Sequence, residues 1–233
     1  MSGLFITFEG TEGCGKTTQI SRLADALRTA GRTVKVLREP GGTPIGEEIR
    51  HTLKHSEQNH AMTAEAELLL MSASRAQLVR EIIQPALAAG EVVLCDRFYD
   101  STTAYQGYGR GLDLKLIQRV TEIAVGNTHP NITFLLSIPT DISEARRLAR
   151  KEALLFELEQ AKVSQDEAHV KLPFGEPLRD RMEEADRSFF DRVAKGFRDT
   201  AAKEPNRIKT IDATASIENV GAEIWKAVRE LLK

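Results

Sequence analysis

The residues Gly10–Thr11–Glu12–Gly13–Cys14–Gly15–Lys16–Thr17 fit the spacing GxxxxGK[ST], and Thr18 follows directly. A loop with this spacing turns successive backbone N–H groups toward a di- or triphosphate. The helix behind it points the positive end of its dipole at the same oxygens. Lys16 then reaches the β/γ-phosphates and the Thr17 hydroxyl ligates Mg²⁺. A lone match arises by chance in about one chain in a hundred of this length, so the flanking sequence has to carry part of the inference. The motif needs a strand before it and a helix after it. Leu4–Phe8 is a short apolar run of strand formers, and Thr17–Arg28 carries Ile20, Leu23, Ala24 and Leu27 at helical spacing. Both conditions are met, and the stretch is read as a phosphate-binding loop.

Other residues have types suited to the same chemistry. Asp96–Arg97–Phe98 follows the apolar run Glu91–Cys95. An acid at such a strand end commonly supports Mg²⁺, and an adjacent arginine can clamp a second phosphate with its planar fork. A structural Asp–Arg pair is the alternative. Arg38–Glu39–Pro40–Gly41–Gly42–Thr43 forms a strong turn after another apolar run, with Arg50 on the helix expected behind it. Arg146, Arg147, Arg150, Lys151, Arg179 and Arg181 flank a polar stretch at Lys151–Pro177. Phosphoryl transfer gathers negative charge that mobile arginines stabilise, and the loop offers one basic residue, Lys16. That stretch reads equally as a closing lid or as a solvated helical hairpin. His51 and His55, four residues apart with His60 nearby, fit a solvated helix face better than a metal site.

These residues need a scaffold, and the patterning supplies one. Strand-like runs at Leu4–Phe8, Thr33–Leu37, Glu91–Cys95, Ile132–Ile138 and Arg207–Ile211 are nearly continuously apolar, as expected of parallel strands covered on both faces. Helical stretches near Thr17–Ala30, Pro44–Lys54, Ala64–Ala88, Leu114–Val125, Asp141–Leu158, Pro177–Lys203 and Ile217–Leu232 alternate with them. The expectation is an α/β fold, a doubly wound five-stranded parallel sheet flanked by helices. Ligands of such a sheet sit at the carboxyl ends of its strands. A chain of 233 residues suffices for one domain spanning 1–233, with a lid at about 146–182. The formal net charge of −2 gives no general pull toward nucleic acid or anionic membrane. No apolar run reaches the length of a membrane span. Two cysteines, Cys14 and Cys95, and a core strand close to the N-terminus point to a reducing, cytoplasmic setting.

Taken together, these motifs resemble the thymidylate kinases, a family of P-loop nucleoside monophosphate kinases, along nearly the whole chain. The resemblance rests on Phe8–Glu9–Gly10 opening the loop, on Arg38–Thr43 with Gly46, Glu47 and Arg50, and on Glu67–Leu70 with Ala73, Arg75, Ala76 and Gln77. Asp96–Arg97–Phe98 with Ser101 and Ala104–Gly107, and Ile211–Asp212–Ala213, complete it. It implies transfer of the ATP γ-phosphoryl group to dTMP, Mg²⁺ as cofactor held by Thr17 and Asp96, and a homodimer. ATP would be bound by Gly10, Thr11, Glu12, Gly13, Cys14, Gly15, Lys16, Thr17 and Thr18, with Asp212 and Ala213 against adenine. The acceptor would meet Glu39, Pro40, Arg50, Met71, Arg75, Arg97, Ser101, Tyr105 and Gln106. Within that set Arg50 and Arg97 would hold its phosphate, Arg75 the thymine edge, and Tyr105 the face of the deoxyribose. Lys16, Glu12 and Arg97, with Arg147 and Arg150 from the lid, would be catalytic, Arg179 being a further lid arginine. Met71 stands where the family usually has an aromatic residue, Ser137 where it usually has an acid, and Lys151–Pro177 is longer than the usual lid.

Overall fold

The computed structural model describes residues 3–163 and 185–232. The part of the expected lid from 164 to 182, including Arg179, lies outside the described residues. Five parallel strands form one sheet: β1 (Leu4–Glu9), β2 (Val34–Arg38), β3 (Val92–Asp96), β4 (Ile132–Ser137) and β5 (Ile208–Asp212), in the order β2-β3-β1-β4-β5. Strand β1 is central and buried along its whole length. The edge strands depart from the continuously buried pattern. Lys35 and Val36 of β2 and Lys209 and Thr210 of β5 face solvent, as befits strands that pair with a neighbour on one edge only.

Helices cover both faces: α1 (Lys16–Thr29), α2 (Pro44–Lys54), α3 (Ala64–Leu78), α4 (Gln84–Ala88), α5 (Tyr99–Thr102), α6 (Leu114–Val125), α7 (Thr140–Val163), α8 (Arg187–Lys203) and α9 (Ile217–Leu231). Their starts follow from local chemistry. Thr43 accepts a hydrogen bond from the Gly46 N–H ahead of Pro44, Thr63 caps α3 through the Ala66 N–H, and Ser216 caps α9 through the Asn219 N–H. The helix expected from Pro177 is instead non-helical at Ala185 and Asp186 and begins at Arg187. Asp186 ends the turn there by accepting from the Phe189 N–H. The expected run Ala64–Ala88 is helical throughout but passes through a π turn at Val79–Ile83. Pro85 has no N–H to close an ordinary turn on the carbonyl four residues back, and the wider turn absorbs that loss.

One core cluster packs Ile6, Phe8, Leu94, Phe134 and Leu136 of the sheet against Ile20, Leu23 and Leu27 of α1 and Val220, Ile224 and Val228 of α9. On the other face Phe5, Val93 and Cys95 meet Leu78, Val79, Ile83 and Phe98. A third cluster seats Phe189, Val193 and Phe197 of α8 on Ala104 and Tyr105. The register pairs Phe8 of β1 with Asp96 of β3, so the loop after β1 and the turn after β3 emerge side by side at the carboxyl edge.

A buried ion pair ties that edge to the rest of the sheet. Asp100 on α5 receives two hydrogen bonds from the Arg207 guanidinium, each 2.7 Å long, and Arg207 also donates to Thr133 on β4. Removing one partner of a buried pair strands the other charge at a cost of about 3 kcal/mol or more. Arg207→Met should therefore destabilise the chain by about 3 kcal/mol in urea unfolding. A loss below about 1 kcal/mol would mean that Asp100 finds another partner or sheds its charge.

Candidate active site

The loop after β1 owes its shape to glycine. Gly10 has φ +133°, and a Cβ on it would stand 2.4 Å from the Leu136 carbonyl oxygen. Gly13 and Gly15 also have positive φ, and Gly15 opens α1 without a side-chain cap. The first N–H groups of the helix are thereby left to an anion. Lys16 folds back so that Nζ donates to the carbonyls of Gly10 (3.1 Å) and Thr11 (3.2 Å) and lies 3.6 Å from the Cys14 thiol. Thr17 and Thr18 stand exposed on the first turn of the helix. Asp96, at the end of β3, has a buried Oδ1 with no hydrogen-bond partner among the described residues. An unpaired buried carboxylate oxygen and an exposed threonine hydroxyl are hard oxygen donors, and they fit Mg²⁺ with its retained waters.

Beside the loop, Arg97 carries the largest strain of the site. Its φ of +68° is left-handed, unlike that of any other non-glycine residue among those described. The turn is held by Glu9, the last residue of β1. One carboxylate oxygen accepts from the Phe98 N–H at 2.7 Å and the Ser101 N–H at 3.3 Å, and the other accepts from the Ser101 hydroxyl at 2.5 Å. So fixed, the Arg97 guanidinium donates to the Gly10 carbonyl (3.0 Å), the Ser101 hydroxyl (3.1 Å) and Glu12 (2.7 Å), and lies 5.0 Å from the Tyr105 ring centroid. The Tyr105 hydroxyl donates to the same Glu12 carboxylate. Burial pushes Glu12 up, yet the Arg97 and Lys16 charges and the Tyr105 hydrogen bond outweigh it and hold the carboxyl below its ordinary range. For Glu9, burial and the nearby Asp100 charge win over Ser101, Arg97 and Phe98, and the carboxyl is pushed up to about 8.

An open cavity of about 460 Å³ lies beyond this seam, lined by Glu12, Glu39, Pro40, Lys54, Met71, Arg75, Arg97, Ser101, Thr102, Tyr105 and Gln106. Eight of the nine residues expected around an acceptor are thus brought together. Arg50, the ninth, is buried and donates to the Pro40 carbonyl at 2.9 Å. Arg75 is 2% exposed; it donates to Glu39 at 2.6 and 2.8 Å and to Thr102 at 2.9 Å. Asp212 caps its own turn through Thr214, and Ala213 donates to the Ser137 carbonyl on the β4–β5 side of the loop. Helix α7 docks on the loop through Ser143, whose hydroxyl donates to the Glu12 carbonyl, and through Arg146, which donates to the Gly13 carbonyl at 3.0 Å. The expected Arg147 is its neighbour on the helix. One residue later and about 100° further round the helix, it lies 4.5 Å from the Phe190 ring centroid. Arg150 follows on the same helix, and its side chain lies outside the described residues.

Reading by sequence missed Lys54, Thr102, the contact of Arg146 with the loop and, above all, the anchoring role of Glu9. Lys54 sits one turn after Arg50, a spacing that could have marked it. Glu9 carried no signal of its own, since an acid ending a strand is ordinary.

A GxxxxGK[ST] loop on the central strand of a parallel sheet, opposite a cavity walled by arginines, defines a P-loop nucleotide kinase. The thymidylate kinase family model matches residues 8–224. Thymidylate kinase from Chlorobium luteolum is 44% identical over 99% of both chains, and that from Deinococcus radiodurans is 45% identical over 98% of this chain and 97% of its own. A thymidylate kinase structure from Ehrlichia chaffeensis superposes with a TM-score of 0.71 at 31% identity, covering 98% of this chain and 99% of that one. The chain belongs to the thymidylate kinase family.

The Glu9 carboxyl has a testable signature. Its ordinary value is 4.5 and its folded value about 8, so between the two the folded chain binds the extra proton. Stability drawn from Glu9 is then full below about 4.5 and is lost as pH rises through about 8. Urea midpoints of the wild type should fall from about pH 6 to pH 9, and Glu9→Gln should flatten that decline. Parallel curves for the two proteins would contradict the shift.

Proposed function

We propose that this chain transfers the γ-phosphoryl group of ATP to dTMP, giving ADP and dTDP for deoxythymidine nucleotide synthesis. The observation that carries the residue roles is the seam at Arg97. Its guanidinium spans the interval between the phosphate loop and the cavity, where donor and acceptor phosphates have to meet. The backbone of Gly10–Thr18 and Lys16 cradle the donor phosphates, and the turn at Asp212 and Ala213 takes the adenine. Thr17 and Asp96 are the residues to hold Mg²⁺, which when bound neutralises charge on the donor phosphates. Arg50 and Arg97 orient the acceptor phosphate, and Arg50 also donates to the Pro40 carbonyl.

The acceptor phosphate has its second pKa near about 6 and is largely dianionic at neutral pH, so no strong general base is required. The task is to bring two anions into line and offset the charge that builds between them. Glu12, fixed by Arg97 and Tyr105, sets the floor on which the sugar rests. The Tyr105 ring takes the deoxyribose face and selects against a 2′-hydroxyl. Arg146, already on the loop, joins Arg147 and Arg150 as a candidate lid arginine. A lid over 146–182 would exclude water and suppress ATP hydrolysis. No described helix is long and apolar enough to cross a membrane, in keeping with a cytoplasmic enzyme. The family resemblance supports a homodimer.

The test is ADP release from ATP and Mg²⁺ with dTMP, dUMP, ribo-TMP, dCMP or no acceptor. Turnover should depend strongly on dTMP, and Arg97→Met should lower kcat/KM for dTMP by about 10² or more while leaving the KM for ATP within about threefold. Preference for another acceptor would overturn the substrate, and turnover without any acceptor would overturn the transfer.

A further inference from the structure

Gln106 lines the cavity from the helical turn after α5, and its amide is not free to choose its orientation. Across from it stands Glu67, fully buried in the first turn of α3. The Arg110 guanidinium donates to both oxygens of Glu67, from Nε at 3.3 Å and from Nη2 at 3.0 Å, and lies 4.7 Å from the Phe189 ring centroid. A carboxylate that takes hydrogen bonds from a guanidinium on both oxygens presents them as acceptors. Gln106 meets it at 2.7 Å. The atom on that side must therefore be the amide nitrogen, a conclusion that follows from the chemistry of the partner. The amide oxygen is left to the cavity as an acceptor.

We propose that Glu67, held by Arg110, is a positioning residue that fixes Gln106 as a hydrogen-bond acceptor and makes the cavity select pyrimidines carrying a ring N–H. The inference rests on the reading of this cavity as the acceptor-nucleotide site. Thymine and uracil present a ring N–H beside a carbonyl oxygen. Cytosine presents a ring lone pair beside an amino group. Arg75, on the same wall, is a pure donor and complements the carbonyl. Cytosine would set lone pair against oxygen at Gln106 and amine against guanidinium at Arg75. Two unpaired buried contacts are a strong basis for rejection. Glu67 does this without touching the nucleotide, by removing the alternative orientation of Gln106.

The experiment compares kcat/KM for dTMP and for dCMP in the wild type, in Glu67→Gln and in Gln106→Met. A glutamine at 67 can donate as well as accept, so Gln106 can turn over. Methionine at 106 removes the acceptor and leaves the Glu67–Arg110 pair in place. In both variants the dTMP:dCMP ratio should fall at least about tenfold, with the KM for ATP within about twofold of wild type. If Glu67→Gln fails to fold, the ratio in Gln106→Met decides. A merely structural role would lower both acceptors in parallel, and an unchanged ratio would overturn the inference alone. A wild type that turns over neither nucleotide would overturn the inference and the proposed function together.

Discussion

At the end of the central strand a single buried carboxyl group, that of Glu9, accepts hydrogen bonds from the backbone of Phe98 and Ser101 and meets the Ser101 hydroxyl at 2.5 Å. The site depends on this anchoring. Arg97 stands in a left-handed conformation that an arginine does not adopt unaided. The parallel register brings its backbone N–H to the Phe8 carbonyl, and Glu9 then closes the turn that follows. With the turn closed, the guanidinium reaches the phosphate loop at Gly10 and Glu12 and the cavity at Ser101 and Tyr105. Strain at one residue is thus held by three hydrogen bonds to its neighbour strand, and the product of that strain is a cation at the seam between two anion sites.

Three further buried ion pairs each serve a second purpose. Glu39 holds Arg75 in the wall of the cavity, and Arg75 in turn holds Thr102. Arg110 grips Glu67, which orients Gln106. Arg207 satisfies Asp100 and links α5 to β4 and β5. Asp100 also raises the cost of ionising Glu9. Pairs of this kind add little net stability over an apolar core, but each fixes a side chain in one orientation. A site that must align two phosphates and read a base edge needs that fixity more than it needs stability.

Much of this was legible in the sequence because several signals agreed. The apolar runs ending at Phe8 and Cys95, the helical spacing after Lys16 and the loop motif between them give the sheet, its central strand and the loop. Strand and helix bounds agree to within a residue or two where capping residues are strong, as at Thr43–Pro44 and Asp113–Leu114. The helical turns over Tyr99–Gly109 were not foreseen. Their hydrophobic spacing is irregular because a π segment lets Ala104, Tyr105, Gln106, Gly107 and Gly109 all turn inward. Arg146 and Arg147 could not be told apart by type, since one step along a helix sets Arg146 on the Gly13 carbonyl and Arg147 against the Phe190 ring. The roles of Glu9, Glu67 and Asp100 are not legible in a linear reading, because they depend on partners 39 to 107 positions away or on the strand register.

The central claim is that Arg97 receives the acceptor phosphate at the seam beside the loop. A crystal structure of the chain with dTMP and ADP tests it directly. The dTMP phosphate is expected within hydrogen-bond distance of the Arg97 guanidinium, with the base toward Arg75 and Gln106. A phosphate bound away from Arg97, with that side chain still closed on Glu12, would contradict it.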